Sequence, residues 1–335
     1  MKKRRVRAPG RWRFFCVLCL LTGMMAAGCG KDAGSLEQPY DIYRTTRSAG
    51  IAATETATVH PYFAEQLCVA DAADINTEQT DAQVAEGAGV FDLNSRSVVY
   101  AKNIYKKLYP ASTTKILTAY LTLKYCEDLD VTTTVSRNAA DQAADSSVCG
   151  LKEGDVLRIR DLFYGMLLRS GNDAAIVIAE HISGSVEAFA ELMNREAAML
   201  GATQSHFVNP NGLPDPEHYT SVYDLYLMLA AAVKYETFVD AIHMDAYTAS
   251  YRDAAGAAVQ KTWENTNLYI NGQAEAPDGI EIIGGKTGTT NDAGYCLALY
   301  SRKASGEELI SIVLKADVRA NLYLLMNEML EKAGG

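Results

Sequence analysis

Histidine is scarce in this chain: there are five in 335 residues, and His60, His181, His206, His218 and His243 form no His-Glu-x-x-His pair. A metal hydrolase built on paired helical histidines is therefore not expected. Cysteine is equally unhelpful for a metal. Of seven, Cys16, Cys19 and Cys29 fall near the N-terminus, and Cys68, Cys126, Cys149 and Cys296 are scattered without ligand spacing. A chain this long buries its own core, so no disulfide scaffold is implied, and neither metal nor cofactor is called for. Positive charge is short beyond the first residues. Seven of the 31 basic residues precede Phe14, leaving 24 against 41 acidic ones, a formal charge of −17. Nucleic acid is excluded as a natural partner.

Long apolar runs are lacking too. Phe14 to Gly28 is broken only by Thr22 and Gly23, and its 15 residues fall short of the roughly 20 needed to span a bilayer. Following a basic stretch without acidic residues, it reads as a secretory signal peptide over residues 1–28. Ala26-Ala27-Gly28-Cys29 resembles a bacterial lipoprotein cleavage site, with Ala26 where that motif usually has leucine. Cys29 is the lipidation candidate, with simple cleavage or an uncleaved anchor as the alternative. Residues 29–81 are rich in Ala, Thr, Asp, Glu and Gln without a sustained apolar period, and read as a flexible tether ahead of a domain over 82–335.

Three short motifs carry chemistry. Ser112-Thr113-Thr114-Lys115, Ser170-Gly171-Asn172 and Lys286-Thr287-Gly288 occur in that order. A serine followed one helical turn later by lysine lets a neutral amine take the hydroxyl proton during attack, so a serine acyl-transfer site needs no histidine. Each motif has a plainer explanation. A serine opening a helix is often only a cap, Ser136-Arg137-Asn138 also fits Ser-x-Asn, and Gly284-Gly285-Lys286-Thr287 invites a phosphate-loop reading. The last fails because Ile280 stands where the first glycine is required and no helix follows. Ser136 follows the β-branched Val131 to Val135 and is better explained as a turn or cap.

Periodicity places these motifs. Val84 to Leu93 and Ser97 to Ala101, around Asn94-Ser95, predict a β-hairpin. Ser112 to about Cys126 predicts a helix after Tyr109-Pro110, with Ser112 at its N-terminus, where the dipole favours an oxyanion and disfavours a charged Lys115. Arg160 to Arg169 and Asp173 to Ile182 predict two helices, with Gly171 ending the first and Asn172 capping the second. Further helices are expected over Val186 to Leu200, Ser221 to Lys234 and Val318 to Lys332, and strands over Ile280 to Ile283, Tyr295 to Tyr300 and Leu309 to Leu314. The expected fold class is α+β, an antiparallel sheet made from both chain ends with a mainly helical subdomain inserted.

With Pro110-Ala111 before the first motif, Arg169 and Asp173-Ala174-Ala175 around the second, His206 to Leu213, His218 to Leu225, and Ala293-Gly294-Tyr295 after Thr289, the chain resembles the penicillin-binding D-alanyl-D-alanine carboxypeptidases of low molecular mass. The similarity covers about Val84 to Arg319. It implies a β-lactamase/transpeptidase-like fold and an enzyme outside the cytoplasmic membrane that trims peptidoglycan stem peptides and is acylated by β-lactams. By motif position, Ser112 attacks the carbonyl between two terminal D-alanines, Lys115 takes its proton, and Ser170 relays one to the leaving amine. Asn172 binds the substrate backbone, Lys286 and Thr287 hold the terminal carboxylate, Ser112 and Thr289 form the oxyanion hole, and Arg319 is a further carboxylate candidate.

The resemblance implies some departures. Many relatives continue into a β-rich domain and an amphipathic membrane helix, whereas this chain stops at Gly335, so tethering to the membrane is expected through the N-terminus. No role is readable for Ala246 to Ala276. No Glu-x-x-Leu-Asn segment follows Asn172 to position a deacylating water, which sets the chain apart from a β-lactamase. A non-catalytic wall-binding lipoprotein would lack chemical groups that are all present here. An endopeptidase cutting cross-links would use the same site.

Overall fold

The computed structural model describes residues 66–334 apart from residue 79. Along the chain run β1 (Ala85–Asp92), β2 (Ser97–Lys102), a 3₁₀ turn (Ala111–Thr114), α1 (Lys115–Tyr125), β3 (Thr132–Thr134), α2 (Arg137–Ala140) and β4 (Val156–Arg158). Five helices follow: α3 (Ile159–Leu168), α4 (Asn172–Ser183), α5 (Val186–Met199), α6 (Val222–Ala232) and α7 (Glu236–His243). The chain then forms β5 (Ala246–Arg252), β6 (Ala258–Glu264), β7 (Ile280–Thr290), β8 (Gly294–Lys303), β9 (Glu308–Ala316) and α8 (Arg319–Gly334).

The principal sheet has the order β2-β1-β9-β8-β7, with every pairing antiparallel. It joins both ends of the folded chain around the helical block, as the apolar periodicity predicts. Strand β9 explains how it is held. Ile310, Ile312 and Leu314 enter the core shared with the helical block, whereas Leu309 and Val313 enter a second core beneath α8. This period-2 alternation buries both faces of the sheet. Strand β7 is left at one edge, with backbone groups available to an extended ligand.

A second sheet, β3-β4-β5-β6, takes up residues 246–264 of the segment that the sequence leaves unassigned. Its β5–β6 hairpin turns at Asp253 to Ala257, where the Asp253 carboxylate accepts from Ala255 and Ala257 N–H at 3.0 and 2.8 Å. Trp263 is fully enclosed, and its Nε1–H donates to the Cys149 carbonyl at 3.1 Å.

Two local expectations are corrected. The tether does not run to Asp81: Cys68 is buried and its N–H donates to the Tyr226 hydroxyl at 2.9 Å, and Ile75 pairs with Ala101 across both backbone bonds. Packing starts by residue 67 because Leu67 and Cys68 find apolar partners far away in sequence, which local composition does not reveal. At the junction of α3 and α4 the left-handed residue is Ser170, at φ 63°, and not Gly171, at φ −59°. Gly171 is required for space instead, since a Cβ there would lie 2.4 Å from the Cys149 Sγ. Ser136 N-caps α2 through the Ala139 N–H at 3.0 Å, the structural role expected of that second Ser-x-Asn match.

Candidate active site

The three motifs converge at the end of β7 that faces the helical block. The 3₁₀ turn carrying Ser112 begins at Ala111, which holds a φ of 47°, and leads directly into α1 with Lys115 as its first residue. Ser112 is thus one turn further from the α-helix than expected, in a tighter N-terminal extension of it. The Phe207 to Leu213 segment supports this turn from below. Gly212, at φ 88°, passes so close that a Cβ would come within 1.9 Å of the Ala111 carbonyl oxygen. On the other side, a Cβ on Gly288 would lie 2.9 Å from the Ser112 nitrogen.

Lys115 is wholly buried, and its Nζ lies 2.9 Å from Ser112 Oγ, 2.7 Å from Asn172 Oδ1 and 2.8 Å from the Asn211 carbonyl oxygen. The last two partners can only accept. A neutral amine has two hydrogens, so bonds to Asn172 and Asn211 direct its lone pair at the Ser112 hydroxyl. Burial, followed by the charge of Lys286, pushes the Lys115 amine well below the ordinary lysine range. Among the described residues no carboxylate forms an ion pair with it, and the opposing pull of Asp173 is weaker than burial and Lys286, so geometry and desolvation both favour a base.

Asn172 opens α4, but its side chain does not cap that helix as expected. It turns instead to Lys115, while its N–H donates to the Ser147 carbonyl at 2.8 Å. Asp173 anchors the same loop by accepting from Cys149, Gly150 and Leu151 N–H at 2.8 to 3.0 Å. Ser170 is brought to Lys286, whose buried Nζ donates to Ser170 Oγ at 3.0 Å and to the Thr287 carbonyl at 2.8 Å. Desolvation lowers the Lys286 amine to about 7.

A cavity of about 360 Å³ opens beside these groups, lined by Ser112, Ser170, Thr287, Thr289 and Arg319 among others. Thr287 Oγ1 shares a hydrogen bond with Thr266 Oγ1 at 2.7 Å. Arg319, at the start of α8, lies with its guanidinium carbon 5.8 Å from the centre of the Tyr295 ring. Ser112, Lys115, Ser170, Asn172, Lys286, Thr287, Thr289 and Arg319 therefore meet in one place. Cys29 lies outside the described residues.

Two contributors escape sequence reasoning. The Asn211 carbonyl is a backbone acceptor within the His206 to Leu213 stretch that carries the resemblance, and residue identity does not assign it this role. His218 is buried, and burial lowers its imidazole to about 4, so it is neutral. The Val208 N–H reaches its Nδ1 at 3.2 Å, which leaves Nε2–H to donate to Thr114 Oγ1 at 2.9 Å and brace the nucleophile turn.

A family model described as D-alanyl-D-alanine carboxypeptidase matches residues 74–318. The chain belongs to this family. It is 31% identical over 256 residues to the D-alanyl-D-alanine carboxypeptidase DacF of Bacillus subtilis, covering 75% of this chain and 62% of the relative. It is also 31% identical over 240 residues to a D-alanyl-D-alanine carboxypeptidase of Streptomyces sp. strain K15, covering 69% of this chain and 80% of that one. The crystal structure of the Streptomyces K15 DD-transpeptidase superposes with a TM-score of 0.67 at 29% identity, over 74% of this chain and 97% of the other. The chain thus spans less than two thirds of the Bacillus family member and most of the Streptomyces one. The α+β architecture expected from the periodicity and the resemblance is the fold of this family.

Proposed function

We propose that this protein is a serine D-Ala-D-Ala carboxypeptidase that removes the terminal D-alanine from peptidoglycan stem pentapeptides and is acylated by β-lactams. The observation that carries the reading is the Lys115 amine, buried and held by two obligate acceptors so that its remaining valence faces Ser112 Oγ. Ser112 attacks the penultimate carbonyl as Lys115 takes its proton. The N–H groups of Ser112 and Thr289 receive the oxyanion, where one donor is typically worth about 3 kcal/mol. Ser170, bonded to Lys286, relays the proton taken up by Lys115 to the leaving amine, gaining one proton as it gives one. Thr287, Lys286 and Arg319 receive the terminal carboxylate, and the free amide edge of Asn172 binds the peptide backbone. Water then releases the acyl chain from Ser112.

The test is product analysis by mass spectrometry with a purified pentapeptide and cross-linked muropeptides. D-alanine should leave the pentapeptide, and Ser112→Ala should abolish both this release and labelling by fluorescent penicillin while the fold persists. Labelling that survives in Ser112→Ala but disappears in Ser136→Ala would overturn the assignment. Preferential cleavage of the cross-linked substrate would make the enzyme an endopeptidase using the same groups.

The site of action is the outer face of the cytoplasmic membrane, with export through residues 1–28 and acylation at Cys29. Among the described residues no helix is long and apolar enough to cross a membrane. Each buried acyl CH₂ contributes about 0.8 kcal/mol to anchoring. Mapping of the mature N-terminus should find a lipid-modified Cys29. An unmodified N-terminus further along the chain would refute the anchor.

A further inference from the structure

The nucleophile divides the cleft into halves of opposite charge. One half, about 360 Å³, has Arg169 and Arg319 as its charged lining residues. The other, about 350 Å³, has Asp145 and Asp292. Ser112, Ser147 and Thr289 line both. The two carboxylates come from separate elements, Asp145 from the segment between α2 and β4 and Asp292 from the β7–β8 turn. Both are exposed, and neither forms a hydrogen bond or ion pair among the described residues. On an acidic protein, isolated exposed aspartates are ordinary. Here they face the nucleophile cleft from two sides, with no cation lining their half.

Strand β7 supplies a direction. Thr287 lies in the basic half, Thr289 at the divide, and Thr290 to Asp292 in the acidic half. A substrate lying along this edge with its carboxylate at Thr287 and its reacting carbonyl at Ser112 extends its preceding residues between Asp145 and Asp292. The free amide edge of Asn172 and the Asn211 to Leu213 turn line that same half.

We propose that the acidic half selects acyl donors bearing a free ammonium group on the residues that precede the scissile bond, with Asp145 and Asp292 as the selecting groups. This rests on the carboxypeptidase reading and adds to it a substrate class: stem peptides whose side-chain amine is uncapped. Exposed ion pairs of about 0.5 kcal/mol change binding about twofold to threefold each, so the two together give roughly fivefold to tenfold, weakened by salt.

The test uses the purified protein and two peptides ending in D-alanyl-D-alanine, identical except that a lysine preceding the scissile bond is free in one and Nε-acetylated in the other. At low ionic strength kcat/KM for D-alanine release should be roughly fivefold to tenfold higher for the free amine. The ratio should shrink at about 0.5 M salt, where the screening length is only a few ångströms. It should fall towards one in Asp145→Asn/Asp292→Asn, with the fold checked by circular dichroism. A ratio near one in the unaltered protein, or one unchanged in the double variant, overturns the proposal. Each peptide is also run as a competitor of Ser112 acylation by fluorescent penicillin. Should neither release D-alanine, the carboxypeptidase reading fails, and the competition still decides selection: equal competition by both peptides overturns it, and stronger competition by the free amine, lost in the double variant, supports it.

Discussion

At the scale of single residues, the two buried lysines face opposite demands. In the proposed reaction Lys115 must be neutral to accept a proton, and Lys286 must be charged to attract a carboxylate. Both are desolvated, but Lys115 also feels the charge of Lys286, which pushes it further down. Since Lys286 titrates at about 7, raising the pH through that value removes the cation that the substrate carboxylate seeks. For a peptide with a free C-terminal carboxylate, kcat/KM should therefore fall above about pH 7, because this parameter reports the free enzyme. A peptide amidated at that terminus should lose about tenfold to a hundredfold in kcat/KM at pH 6, the worth of one charge-assisted hydrogen bond. Its profile should also lack the decline above pH 7. The same alkaline decline in the amide would remove Lys286 from carboxylate binding. Ser112 and Lys115 were legible because one helical turn fixes their proximity in any helix that starts there. The Asn211 carbonyl was not, since a backbone acceptor carries no residue identity.

Among the elements, β7 sets how closely the nucleophile turn can approach the sheet. Gly288 is the contact point: a Cβ there would meet the Ser112 nitrogen at 2.9 Å and the Pro110 oxygen and Thr113 nitrogen at 3.0 Å. All three are backbone atoms, so no side chain can rotate away. Gly288→Ala should shift β7 and the turn apart by a few tenths of an ångström and lower the rate of Ser112 acylation by penicillin about tenfold or more, given how steeply rate follows alignment. Time-resolved intact-mass spectrometry measures this, and an unaltered rate would show that the close approach is dispensable. The sequence identifies this glycine only as part of a motif. The second sheet was less legible still. In β5 only Ala249 and Tyr251 are buried, and in β6 only Trp263, so the hairpin shows too little apolar alternation to be recognised. Its place is fixed by distant partners, above all the Cys149 carbonyl beneath Trp263.

For the molecule as a whole, the cleft lies where the edge of the five-stranded sheet meets the helical block, and this decides what can leave it after acylation. The sheet from both chain ends was legible because β8 and β9 alternate strongly, whereas the packing of Leu67 and Cys68 depends on tertiary contacts alone. In the acyl-enzyme that the proposed carboxypeptidase reaction requires, the D-alanine leaving group diffuses out of the basic half, and water enters to meet Lys115 and Ser170. Penicillin behaves differently, because its leaving nitrogen stays joined to the acyl chain through the opened ring and occupies the space that water needs. A second water approach would require a carboxylate poised near Ser112. Among the described residues lining the two halves the acidic side chains are Asp145 and Asp292, both solvent-exposed, and neither bonds to the Lys115 network. Penicillin should therefore give a burst of about one equivalent and an adduct that outlasts a peptide turnover by orders of magnitude. Intact-mass spectrometry of the purified protein follows that adduct over time. Decay at a rate matching peptide turnover would mean that Asp145, Asp292 or Lys115 activates water from the acyl side, and Asp145→Asn and Asp292→Asn would then identify which carboxylate does so.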